Sequence, residues 1–518
     1  MSDTEKTGAD ALVSTLADCG VTHCFANPGT SEMHLVQALD REPRIHSTLC
    51  LFEGIVSGAA DGFARMAQKP AMTLLHLGPG YGNAIANIHN ARRAYSPMIN
   101  VIGDHATYHR HLEAPLTSDI ETMVKPNSLW IGVVQNSGEA GQKAAEAFKA
   151  SCDEPGGPIS LLLPADSAWN LGGVNGLVPN IARPSLIEAS KIEEIADLIK
   201  AAKKPIILVG GKALCDEAAL KTMSRLSAAG IRIMMDTFPS RAARGHGRFE
   251  PDRMQYFGEM ALADMSGADL MIYAGTTQPN AFFAYPNKPS ELVPTGANTA
   301  VLTTRYEDSH EALAQLADIL GAPPPPPQKE REIRPAPKGA LNPFACAESL
   351  ARLMPEDSII SDDAVTAGLP HYLATSNAAK HDWLFLTGGA IGQGLPLAIG
   401  AQMANPQRKV FALSGDGSAM YTIQALWTMA RENLPIVTII FANRSYRILN
   451  IEMMRTEAGN VGKTARDMLS LDSPALDFVA LAKGQGINAV SVNTAEDFES
   501  ALKTAIDANQ PWLIEAMV

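Results

Sequence analysis

Eight short apolar runs constrain this chain more than any other feature. They are 71–75 (AMTLL), 98–102 (MINVI), 159–163 (ISLLL), 205–209 (PIILV), 232–235 (RIMM), 269–273 (DLMIY), 409–413 (KVFAL) and 436–442 (IVTIIFA). A strand turns successive side chains to opposite faces, so a run apolar at consecutive positions must be covered on both. Helical patterns such as 83–94 (NAIANIHNARRA) and 421–432 (YTIQALWTMARE) lie between the runs. Such alternation implies an α/β chain of doubly wound parallel sheets.

The 518 residues exceed what one hydrophobic core can organise. At roughly 100–200 residues per domain, three domains are expected. The sharpest boundary is Pro323 to Pro327, five consecutive prolines that can continue neither a helix nor a central strand. A second falls near 170–190, where LGGVNGLVPNIARP is rich in Gly and Pro. The expected units are 1–180, 186–322 and 340–518, with 323–339 as a stiff linker.

Composition excludes several classes. A formal net charge of −13 gives no basic face for nucleic acid. No 18-residue apolar run offers a membrane span, and the acidic start MSDTEKTGADALVSTLADCG lacks the features of a signal peptide. Cys19, Cys24, Cys50, Cys152, Cys215 and Cys346 form no Cys-x-x-Cys pair and sit mostly in apolar contexts. Reduced thiols in a cytoplasmic protein are the expectation.

The most informative stretch is 409–446. A buried strand is expected to end at Ser414, Gly415-Asp416-Gly417 to make a tight turn, and a helix and second strand to lead to Asn443-Arg444-Ser445. Both polar clusters then lie at the carboxyl ends of neighbouring strands, where open α/β sheets bind ligands. Asp416 offers a carboxylate, Asn443 an amide oxygen and Ser445 a backbone carbonyl. These are hard ligands suited to Mg²⁺, which also takes phosphate oxygens. Free N–H groups at the following helix N-terminus suit a diphosphate, with Gly415, Gly417 and Ser418 the expected residues beside it.

GDG followed by 25 residues and Asn resembles the thiamine-diphosphate signature of the decarboxylase and acetolactate synthase superfamily. That resemblance implies three domains (pyrimidine-binding, middle and diphosphate-binding) and Mg²⁺ held by Asp416, Asn443 and the Ser445 carbonyl. In 387–400 (TGGAIGQGLPLAIG), it implies Ile391 beneath a V-shaped cofactor and a carbonyl contact to the aminopyrimidine near Gly389. Glu53, within LCLFEGIVSGAADG, matches the activating glutamate. Against N1′ of the cofactor it would promote formation of a C2 ylid, and an enamine would follow decarboxylation. The family pairs this glutamate with the diphosphate site of another subunit, implying a homodimer at minimum and a homotetramer commonly.

Benzoylformate decarboxylase is the closer comparison on the substrate side. Thr30, His76 and Leu116 match its active-site serine, N-terminal histidine and leucine-bearing loop. Phe282 stands where that enzyme has a second histidine, which puts the substrate and its protonation step in question. A 2-oxo acid is the implied substrate, with an aldehyde or second keto acid as a further acceptor. An acetolactate-synthase-like condensation is the near alternative. FAD, which those enzymes often bind, has no signature beyond Gly210-Gly211 in 205–290, though the resemblance leaves it open. His246, with Arg244 and Arg248, is a further candidate from the middle segment, and His105, His109 and His111 a conceivable metal cluster. A nucleotide-binding oxidoreductase lacks its G-x-G-x-x-G. An inactive cofactor-binding protein would have less need of Glu53.

Overall fold

A computed structural model describes residues 6–327, 331, 333–456 and 461–518. Its strands form three sheets, parallel in every pairing but one. All eight apolar runs become strands, and most are fully buried. Burial on both faces is why they read as continuous apolar stretches.

The N-terminal sheet has six strands, in the spatial order His46–Leu49, His23–Ala26, Ala71–His76, Met98–Asp104, Pro158–Pro164 and Ile131–Val133. Strand order reverses between His23–Ala26 and Ala71–His76, so their carboxyl ends open a crevice. The middle sheet runs Asp252–Arg253, Arg232–Met235, Pro205–Val209, Leu270–Ala274 and Asn298–Thr303. The C-terminal sheet runs Asn488–Val492, Trp512–Met517, Ile436–Ala442, Val410–Gly415, Ser358–Asp363, His381–Leu384 and Arg241–Arg244. Its order reverses between Val410–Gly415 and Ser358–Asp363, a second crevice.

The last strand is a departure from expectation. Arg241–Arg244 belongs by sequence to the middle segment, yet it pairs antiparallel with His381–Leu384 at the edge of the C-terminal sheet. Pro323 to Pro327 are exposed and form neither helix nor strand. Residues 328–330 and 332 of the expected linker lie outside the described residues.

Helix Glu53–Ala67 crosses helix Gly394–Ala404 so closely that only glycine fits at the contact. A Cβ on Gly400 would stand 1.8 Å from the Ala59 carbonyl oxygen, and one on Gly62 2.0 Å from that of Leu397. The two helices share one core, to which Val56 and Phe63 contribute from one and Leu395 and Ile399 from the other. Arg65 and Asp61 form a buried pair at 2.6 Å beside this crossing. Arg65 also donates to the Phe385 carbonyl and Thr387 hydroxyl, while Gln393 and Ser96 donate to Asp61. Every charge is met, which a buried pair requires if it is not to destabilise the fold. The helix carrying Glu53 is thereby fixed to the segment 385–393. Among the described residues no helix is long and apolar enough to cross a membrane.

Candidate active site

Each crevice carries half of the candidate site. In the N-terminal half, strand His23–Ala26 leads into the short turn Thr30–Glu32, and strand Ala71–His76 ends at His76, the N-cap of helix Leu77–Ala94. Leu77 is buried with φ +46, a conformation a bulky side chain rarely takes. This sharp turn leaves the His76 ring against the Thr30–Glu32 turn.

Missing side chains let the parts close up. A Cβ would stand 2.2 Å from His76 Nδ1 if placed on Gly29, and 2.4 Å from Ser118 Oγ if placed on Gly78. The segments that carry Thr30, His76 and Leu116 are therefore neighbours. Leu116 is half-buried and packs on the same core as Phe52 and Leu77, while Thr30 is exposed.

Glu53 is the first residue of its helix and only 7% exposed. Asn83 Nδ2 donates to its Oε2 at 3.0 Å. Its Oε1 faces Gly80, where a Cβ would lie 3.6 Å away. Among the described residues Oε1 has no hydrogen-bond partner, so one carboxylate oxygen is committed and the other is available.

In the C-terminal half, the strand runs through Gly415 and the helix begins at Asp416. Neither Gly415 nor Gly417 adopts a left-handed conformation. Contrary to the expected tight turn, Gly417 is needed for space: a Cβ there would meet the Tyr446 ring at 2.4 Å. The following helix is also shorter than expected, with Asp416–Ala419 and Ala425–Arg431 separated by turns. Asp416 is buried, and its oxygens accept from Gly417 N–H at 2.8 Å and Arg444 N–H at 2.6 Å. Burial pushes its carboxyl above the ordinary range against the pull of those N–H groups. The Arg444 bond brings the Asn443–Ser445 loop over Asp416. There Asn443 Oδ1 accepts from Ser445 N–H at 2.9 Å, and the Ser445 carbonyl accepts from Arg447 N–H at 2.8 Å.

Gly389 and Gly392, at φ +75 and +90, do need glycine's freedom. Asn90 clasps the segment between them, donating to the Ala390 carbonyl at 2.8 Å and accepting from its N–H at 3.2 Å. Ile391 is half-buried beside it. Phe282 covers Gly389, where a Cβ would meet its ring at 2.5 Å. Its ring also packs on Phe238, Tyr256 and Phe283.

The residue set fits thiamine diphosphate with Mg²⁺. Asp416, Asn443 and the Ser445 carbonyl supply only hard oxygen donors at one sheet edge. The available oxygen of Glu53 suits an aminopyrimidine nitrogen.

Several residues at these crevices were missed by sequence reasoning. Glu32 has no solvent exposure and accepts from His76 Nδ1 at 2.8 Å. Asp363, also buried, accepts through Oδ2 from Gly392 and Gly394 N–H groups at 2.8 and 3.2 Å. Burial raises its carboxyl to about 7. Val365 follows at φ +50, an outlier for a β-branched side chain. A carboxylate at the end of an apolar run was the available clue to Asp363.

The His246 candidate does not hold. Arg244 pairs with His381 at the amino end of strand His381–Leu384, whereas Gly389 follows its carboxyl end. His246 bonds Asn377 there at 2.9 Å. Arg244 is buried against the Tyr372 ring, and Arg248 donates to the His381 carbonyl. All three join the middle segment to the C-terminal sheet. The His105 and His109 rings lie 5.3 Å apart at a tilt of 55°, and no group of three or more His, Cys, Asp or Glu side chains able to hold a metal occurs among the described residues.

Comparison with known proteins agrees with this layout. The N-terminal TPP binding domain of thiamine pyrophosphate enzymes matches residues 6–125, and their C-terminal TPP binding domain matches 370–516. A Mycobacterium tuberculosis protein described as "Putative acetolactate synthase large subunit IlvX" is 43% identical, over 99% of both chains. Benzoylformate decarboxylase of Pseudomonas aeruginosa is 28% identical over 98% of both. The thiamine diphosphate-dependent 4-hydroxybenzoylformate decarboxylase of Rhodococcus jostii RHA1 shares the fold, with a TM-score of 0.85 over 99% of each chain at 24% identity. Two cofactor-binding domains matched in order, and a full-length relative of this identity, place the chain in the thiamine pyrophosphate enzyme family.

Proposed function

We propose that the chain is a thiamine-diphosphate- and Mg²⁺-dependent decarboxylase or carboligase acting on 2-oxo acids. The observation that carries this reading is Glu53: a buried carboxyl at a crevice, with one oxygen held by Asn83 and the other available. Bound there, thiamine diphosphate supplies a carbon nucleophile that adds to a keto group. Glu53 holds and returns a proton at Oε1. Asp416, Asn443 and the Ser445 carbonyl hold Mg²⁺, with Gly415, Gly417 and Ser418 beside the diphosphate. Gly389 and Ile391 seat the aminopyrimidine end. Thr30, His76 and Leu116 face the substrate from one half, and Phe282 from the other.

A second copy of the chain completes the site in this reading. Asn83 binds Glu53 and Asn90 binds the 388–390 segment, both from helix Leu77–Ala94. Seven residues along a helix is about 10 Å. In this reading, as the family resemblance implies, a homodimer brings one subunit's Glu53 to its partner's diphosphate half, and two such dimers make a tetramer.

The second reading is an acetolactate-synthase-like condensation of two 2-oxo acids, favoured by the name of the 43% relative; FAD enters only there. Supplying the purified chain with thiamine diphosphate, Mg²⁺ and a panel of 2-oxo acids tests both. CO₂ with an aldehyde from benzoylformate or pyruvate supports decarboxylation, and acetolactate from pyruvate supports condensation. Glu53→Gln should slow hydrogen–deuterium exchange at the cofactor's C2 and lower turnover by roughly 10²-fold or more. Wild-type exchange in this variant would remove Glu53 from the mechanism.

A further inference from the structure

Glu32 is a fully buried carboxylate beside the one histidine that the proposed function places at substrate. Ser31 donates its hydroxyl to Oε1, Gly29 donates its N–H to Oε2 at 2.9 Å, and His76 Nδ1 lies 2.8 Å from the same Oε2. Ser31 Oγ also lies 3.2 Å from Nδ1. The backbone is cut away to admit this cluster. A Cβ on Gly103 would stand 1.9 Å from Glu32 Oε1, and one on Gly29 would overlap the imidazole.

A buried carboxylate is costly unless donors surround it. Here three groups do so, and the set is satisfied when the imidazole carries a proton on Nδ1. The bond made by one ring nitrogen fixes which form the other presents. His76 keeps 20% of its side chain exposed while Glu32 keeps none. The ring is thus held from behind and open in front.

We propose that Glu32 is a positioning residue: it holds His76 in the Nδ1–H form, so that Nε2 is the nitrogen presented to substrate beside Glu53. The strained turn at Leu77 and the hydroxyl of Ser31 hold the ring in that orientation. The inference rests on the reading of His76 as a substrate-side group.

The test uses the full-length chain with ¹⁵N-imidazole histidine at pH 8, where His76→Gln identifies the His76 resonances. The expected result is a protonated Nδ1 and a bare Nε2 in the wild type, retained in Glu32→Asp and altered in Glu32→Gln. Turnover is then measured with benzoylformate and pyruvate in the presence of thiamine diphosphate and Mg²⁺. Glu32→Gln should lower kcat at least roughly tenfold, leave C2 exchange at its wild-type rate, and be partly rescued by Glu32→Asp. A wild-type spectrum with the proton on Nε2 overturns the proposal even if no variant folds. So does an unchanged nitrogen pattern in Glu32→Gln. The expected pattern with no turnover of any 2-oxo acid would instead leave the dyad standing and sink the proposed function.

Discussion

Two carboxylates at the C-terminal crevice make opposite demands on protonation. Asp416 accepts from two backbone N–H groups and is offered as a metal ligand, so it must ionise. Asp416→Ala should weaken binding of thiamine diphosphate with Mg²⁺ severely while leaving the fold intact. Isothermal titration checks this, and unchanged affinity in a folded variant would count against the 415–445 site. Asp363 is raised to about 7, first by burial and then by Asp362. Its folded value lies above that of the unfolded chain, so the neutral carboxyl is the favoured form. Its stabilisation is complete below about pH 4 and is lost as pH rises through about 7. Between pH 5 and 8, Tm should fall in the wild type by on the order of 5 °C more than in Asp363→Asn. Parallel curves would show that Asp363 does not titrate in this range.

At the scale of elements, the helix crossing between Glu53–Ala67 and Gly394–Ala404 sets the position of both half-sites. Gly400→Ala puts a Cβ against backbone that cannot yield as a side-chain tip can. Overpacking of this kind costs roughly 1–3 kcal/mol. Lower thermal stability should accompany weaker cofactor binding, because the 388–393 segment leads directly into the displaced helix. What the sequence revealed follows from the same physics. Strands buried on both faces announce themselves as apolar runs, and the placing of Asp416 and Asn443 at strand ends was legible because each follows such a run. Short strands such as His23–Ala26 and His381–Leu384 carry polar residues and were passed over. Arg241–Arg244 was hidden because its partner strand lies far along the chain. Glu32 had a visible residue type but no visible partner: its meeting with His76 depends on which strands are neighbours. Gly417 was marked as a glycine at a tight turn where backbone comes close to a ligand, and the neighbour it leaves room for here is the Tyr446 ring.

For the whole molecule, the proposed dimer makes a prediction that one subunit alone cannot. Glu53→Gln and Asp416→Ala should each be nearly inactive as pure proteins. Mixed under conditions that exchange subunits, half of the dimers contain one subunit of each variant, and each of these holds one site with both residues intact. About a quarter of wild-type activity should return on these combinatorial grounds, given isologous pairing. No recovery despite demonstrated exchange would place Glu53 and Asp416 of one site on the same chain.

The strand Arg241–Arg244 bears on how such a chain can change over generations. A domain that keeps all its strands to itself can be exchanged as a cassette, with only its ends to rejoin. This middle segment has lent one strand to its neighbour, and fastened the loan with Arg244 under Tyr372 and Arg248 on His381. A replacement lacking that strand would leave His381–Leu384 as a raw sheet edge, open to pairing with other chains. Recombination at the sequence boundaries should therefore yield aggregates more often than new enzymes, and substitutions in the middle segment should be tolerated best where they leave this seam alone.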